Sequence, residues 1–141
     1  MLNRDDIKQI IPHREPMLLL DAVDGLEPGR HAEGHLDVTD DMFWCQGHFP
    51  GNPVMPGVLI VEAMAQLGAV IMLSTPEYHG HTAYFASIKS ARFRRKVVPG
   101  ERLRMTAEIG RVLGPAGTGL AKAYVGEELA CDCEMMFYIG E

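Results

Sequence analysis

The sequence is poor in cysteine and short of positive charge, and each shortage excludes a class of function. Only three of the 141 residues are cysteine. That number is odd, and Cys131 and Cys133 sit too close along one segment to staple a fold, so reduced thiols are expected in place of a disulfide framework. Lys and Arg number 13 against 19 Asp and Glu, a formal net charge of -6. An acidic surface repels nucleic acid and anionic membrane at long range, so a polyanionic partner must meet a local basic patch. No basic stretch precedes an apolar run in MLNRDDIKQI, so no signal peptide is visible and the cytoplasm is the expected location. The chain lacks internal repeats, low-complexity tracts and linker-like segments. It also lacks a phosphate-cradling glycine motif and a dinucleotide fingerprint. His31 with His35, and His79 with His81, have no Cys, Asp or Glu partner at a zinc spacing, so no metal is expected.

What remains is material for one packed core. Hydrophobic residues make up 47% of the chain and charged residues 23%, an ordinary globular balance, and the length suits one domain spanning residues 1–141. Residues 4–11 suit one or two helical turns, closed at Ile11-Pro12-His13-Arg14 because the residue before proline avoids the helical region. Residues 17–23 form an apolar, buried run. Alternation from 31 to 38 puts Ala32, Gly34, Leu36 and Val38 on one side of a half-buried strand. Further strands are expected over 82–96, 102–113, 120–125 and 129–139, separated by glycine and proline turns.

Between these lies QGHFPGNPVMPG, a loop of residues 46–57 whose prolines fix its shape. It leads into a helix with Pro56 at the first helical position, running to about Ser74. That helix of roughly 19 residues is apolar nearly all round, so its surroundings must bury it on every side. It is too short for a membrane span and carries a carboxylate at its centre. The fold class is α+β, an antiparallel β-sheet wrapped around one long, buried, central helix.

Glu62 and Gln66 alone interrupt the helix, and a spacing of four puts them on one face. A carboxyl group on such a greasy surface loses hydration, which suits it to donating a proton, although a merely structural buried glutamate has the same signature. His48, in the rigid loop, is suited to act as a base near neutral pH, with Gly47 and Gly51 letting backbone approach a ligand. The unsatisfied amides of Gly57 and Val58 at the helix start, with the helix dipole, suit negative charge developing on a carbonyl oxygen. Base, acid and oxyanion donors together describe proton abstraction beside a thioester carbonyl with loss of a β-hydroxyl. A thioesterase using a carboxylate to activate water, and a non-catalytic acyl-binding module, are the rival readings. Cys45 has no activating arrangement and reads as a packed thiol. Arg92, Arg94 and Lys96 share one strand face by period-two alternation. They are either a solvated strand end or a dock for an acidic, phosphate-bearing carrier.

The segments PHREPMLLLDAV, QGHFPGNPVMPGVLIVEAMAQ and YFASIKSARFRRKVVPGE together resemble the (3R)-hydroxyacyl-[acyl-carrier-protein] dehydratases of bacterial fatty-acid synthesis, and the resemblance covers nearly the whole chain. It implies a hot-dog fold, no cofactor, and a substrate carried as 3-hydroxyacyl-phosphopantetheine on acyl carrier protein. It also implies obligate homodimers, often three per hexamer, in which His48 of one protomer works with Glu62 of the other. By position, Gly57 and Val58 contact the thioester carbonyl, Tyr84 gates an acyl tunnel and Phe49 helps line it. Related dehydratase/isomerases usually have Asp where this chain has Glu62, which favours simple dehydration, although some Glu-containing members also isomerise. Trp44-Cys45 departs from the residues more usual before the loop.

Overall fold

A computed structural model describes all residues from Met1 to Glu141. The chain begins with a short helix, α1 (Arg4–Lys8), started by a capping box in which Asn3 and Asp6 exchange side-chain-to-backbone hydrogen bonds. Two strands follow, β1 (Ala22–Glu27) and β2 (His31–Asp37), then the long helix α2 (Gly57–Leu73) and four strands: β3 (Thr82–Phe93), β4 (Arg102–Leu113), β5 (Ala116–Val125) and β6 (Glu128–Gly140). All six strands form one antiparallel sheet in the order β1-β2-β4-β5-β6-β3. The expected sheet around a single helix is therefore what forms, with β1 and β3 as its edges.

The sheet curls because α2 is apolar on more than one side and needs strands along most of its girth. Its buried residues, Ile60, Val61, Met64, Leu67, Val70 and Ile71 among them, meet Leu36, Leu103, Met105, Ala123, Cys131 and Met135 in one continuous core of 32 buried residues. Each fully buried large aliphatic side chain contributes about 1.5–3 kcal/mol. Burial also pushes the Cys131 thiol up to about 12, so it packs as a small apolar group. Burial of α2 is incomplete, in contrast to the expectation: Val58 is exposed, while Glu62, Ala65 and Gly68 are partly so, marking a stripe the chain leaves uncovered.

Element boundaries follow the expected ones closely, with instructive exceptions. Pro56 is the N-cap of α2, so the helix proper starts at Gly57. β3 ends at Phe93, three residues early, because the amides of Arg94 and Arg95 both converge on the carbonyl of Ala130 and period-two alternation stops there. β5 begins at Ala116, four residues before the expected start, because Gly117 with Gly114-Pro115 reads as turn. Gly117 instead makes room for an aromatic: a Cβ there would lie 2.9 Å from Phe137 Cε2. β1 was not expected as a strand, and a register shift between Val23 and Gly25 breaks its alternation.

Candidate active site

Glu62 projects from the first half of α2 into a mostly apolar cavity that is partly open to solvent, the kind of recess that takes a small molecule. The cavity runs between α2 and the concave face of the sheet as far as Met72. Ten residues of helix at ~1.5 Å each make that about 15 Å. Its walls are mostly apolar, and many are small, including Ala65, Gly68, Ala69, Ala107, Gly119 and Ala121. Tyr84 and Phe85 of β3 line it as well. A narrow greasy channel with the Glu62 carboxyl near one end is what this pattern of missing side chains leaves, with Glu108 of β4 also on its wall.

The carboxyl is held in place. Gln66, one turn further along, is only 1% exposed, yet every one of its polar atoms is used: its Oε1 accepts from the Leu19 amide at 2.7 Å, while its Nε2 donates to the Met17 carbonyl at 2.7 Å and to Glu62 Oε2 at 2.9 Å. Gln66 thereby ties the 17–19 segment to α2 and orients the glutamate. The sequence places Gln66 beside Glu62, but its role as a clamp depends on a segment 47 residues away.

A second residue at the carboxyl was not singled out from sequence. His13 Nε2 lies 3.6 Å from Glu62 Oε2, and burial lowers the affinity of its ring for a proton against the opposing pull of Glu62. Its placement is fixed by Arg14, whose guanidinium donates to the carbonyls of Lys8, Ile11 and His13. Glu15, on the same turn, is paired with Lys8 and Arg4, and the Lys8 ammonium above all holds its carboxyl down at about 2.

His48 sits in the loop preceding α2. Its Nδ1 is 2.7 Å from the carbonyl oxygen of Val54. A carbonyl only accepts, so Nδ1 carries the ring proton and Nε2 is left with a free lone pair, the form a base requires. The loop that orients it is cross-tied: Phe49 and Asn52 exchange backbone hydrogen bonds, and the Val54 amide donates to the His48 carbonyl. Gly51 has φ +71, a conformation glycine adopts at little cost. Phe49 stacks on the imidazole with ring centroids 3.9 Å apart, and Trp44 is buried below, where its backbone carbonyl accepts from the His48 amide.

The first amides of α2, those of Gly57 and Val58, have no intrahelical acceptor, and Pro56 supplies no side-chain cap. Nothing bulky fits at 57, since a Cβ there would lie 2.7 Å from Phe93 Cε1. Within one protomer, His48 and Glu62 are not brought together: His48 does not line the cavity that Glu62 enters, and no hydrogen bond or ion pair joins them. The expected basic face divides too. Arg92 and Arg94 line a groove on the outer side of the sheet with Lys122 and Asp132, and Arg94 is paired with Asp132 at 2.8 Å. Lys96 lies beyond the end of β3 and does not line that groove.

The FabA-like domain model matches residues 11–134. This chain belongs to the FabA-like family. Within that family, it is 54% identical over 136 residues to the 3-hydroxyacyl-[acyl-carrier-protein] dehydratase FabZ of Clostridium novyi (strain NT), covering 96% of each chain. It is 52% identical over 141 residues to the protein of the same name from Desulforamulus reducens, covering 100% of this chain and 99% of that one. Among solved structures, the dehydratase heterocomplex ApeI:P from Xenorhabdus doucetiae superposes with a TM-score of 0.74 at 18% identity, covering 96% of this chain and 91% of that one. The fluoroacetyl-CoA thioesterase FlK superposes with a TM-score of 0.67 at 17% identity, covering 83% and 90%. The likenesses to solved structures establish the hot-dog architecture of this FabA-like chain. The same architecture carries both an elimination and a hydrolysis, so chemistry must be argued from the site.

Proposed function

We propose that the chain is a hydro-lyase that dehydrates (3R)-3-hydroxyacyl thioesters on acyl carrier protein to trans-2-enoyl thioesters in fatty-acid biosynthesis, within one domain of residues 1–141. The observations that carry the site assignment are the 2.7 Å contact of His48 Nδ1 with the Val54 carbonyl, which leaves Nε2 free to act as a base, and the Glu62 carboxyl clamped by Gln66 in a greasy channel. His48 Nε2 takes a proton from C2, and the electron pair moves toward the thioester carbonyl. The amides of Gly57 and Val58 stabilise the charge growing on that oxygen. The C3–O bond then breaks as Glu62, in its protonated form, gives its proton to the hydroxyl, which leaves as water. Transfer of the proton from His48 to Glu62 resets the pair. No cofactor enters this scheme.

The two groups meet across a twofold. β3 is a 12-residue edge strand on which Tyr84, Phe85, Ile88 and Phe93 are exposed apolar residues. An unpaired edge of that length and greasiness calls for a second copy. Pairing β3 with its mate covers the open stripe of α2 and carries the partner's loop to the mouth of the channel. His48 of one protomer then works with Glu62 of the other, with Tyr84 as the gate and Phe49 at the entrance. Arg92 and Arg94, with Lys96 nearby, receive the acidic carrier.

The test is incubation of purified protein with 3-hydroxybutyryl thioester of acyl carrier protein, with products identified by mass. A loss of 18 Da (one water) with the thioester intact is expected. His48→Ala and Glu62→Ala each lower turnover by roughly 10⁴-fold or more while the dimer persists in size-exclusion chromatography. Free acid as the product, or full turnover in either variant, contradicts the assignment.

A further inference from the structure

The scheme above leaves His13 unused, although it is the one basic side chain paired with Glu62. The two side chains are 22% and 23% exposed, and the ring's other nitrogen, Nδ1, is buried without a partner. Desolvation, assisted by the neighbouring Arg14, outweighs the pull of Glu62 and lowers the proton affinity of the ring, so a neutral imidazole is the form present at neutral pH. A neutral ring has one N–H. A buried N–H with no acceptor costs more than a buried lone pair with no donor, so the proton belongs on Nε2, which faces Glu62 Oε2. The charged and titratable groups around it are Glu62 from α2 and Arg14 on its own turn, while Tyr84 from β3 and Glu108 from β4 share the cavity.

We propose that His13 is a positioning residue whose Nε2–H is a second donor to Glu62 Oε2, stabilising the carboxylate left when Glu62 gives up its proton. The inference rests on the assignment of Glu62 as the acid. It also decides between the two carboxyl oxygens. Oε2 accepts from Gln66 and faces His13, so Oε1 is the oxygen free to carry and deliver the proton. The 3.6 Å separation is that of the free site, and such contacts tighten as charge develops in the reacting complex.

The test compares His13→Leu, which fills the space without a donor, with His13→Gln, which restores an N–H of similar reach, in steady-state turnover of the carrier thioester. His13→Leu lowers kcat about tenfold with KM within about twofold, and His13→Gln recovers most of the loss. A role in packing alone predicts the reverse order, because leucine suits an apolar wall better than glutamine. Equal kcat in the two variants, or full kcat in His13→Leu, overturns the inference. Glu62→Gln is measured alongside. If it is inactive while both His13 variants match the parent, only the role of His13 falls. If it turns over fully, the acid assignment itself falls. Should His13→Leu not fold, His13→Ala supplies the answer: added imidazole restores its turnover if a donor was lost and leaves it unchanged if packing was.

Discussion

Glu62 owes its orientation to Gln66, and Gln66 owes its own to two backbone groups in the 17–19 segment. A buried amide with all its hydrogen-bonding capacity in use is rigid, since any rotation leaves a donor or acceptor unpaired. At this scale the sequence discloses types and spacing well. A carboxylate and an amide four apart on a greasy helix, and a histidine in a proline-locked loop, are visible without coordinates. His13 is not visible in that way, because its meaning depends on a long-range contact with a helix 49 residues later. Gly57 is a third residue whose identity is dictated by its neighbour. Its hydrogen faces the ring of Phe93, leaving no room for a methyl group. Gly57→Ala is expected to cost about 1–3 kcal/mol in stability and roughly 100-fold in kcat, through displacement of the first amides of α2. Thermal melts and steady-state kinetics read the two effects separately, and adding Phe93→Leu recovers part of both.

Among the elements, β2 and β4 as far as Glu108 obey alternation, and the expected and observed limits of both strands agree almost residue for residue. They pair with each other without a register shift, and that regular ladder holds both to period two, whereas a shift against β5 between Ile109 and Val112 leaves the end of β4 exposed. The elements whose limits depart carry local irregularities: β1 its bulge, β5 its interior glycines, and the end of β3 two amides that share one acceptor. Alternation likewise put Lys96 on the face of Arg92 and Arg94, whereas β3 ends at Phe93 and leaves Lys96 outside the strand. β3 is also the element on which assembly depends in this account. Ile88 is 49% exposed on that edge, and Ile88→Lys places a charge on the surface proposed to pair with a second copy. If the proposed dimer pairs through β3, the variant elutes as a monomer and loses at least about tenfold in activity per chain at micromolar concentration. Light scattering coupled to chromatography checks the first outcome and a turnover assay the second.

For the molecule as a whole, one sheet wrapped around one helix solves a packing problem and creates a site in doing so. A helix this apolar needs walls on nearly every side, and the single stripe left open carries the carboxyl and borders the edge strand. The base lies on a loop that does not reach that stripe within its own protomer. Complementation between inactive variants tests this division most directly. His48→Ala and Glu62→Ala proteins are unfolded together, refolded as a mixture and assayed for loss of water from the carrier thioester. Half of the random dimers are mixed, and each mixed dimer contains one intact site of two, so roughly one quarter of parental activity is expected. A mixture as inactive as its two components contradicts a site shared between protomers.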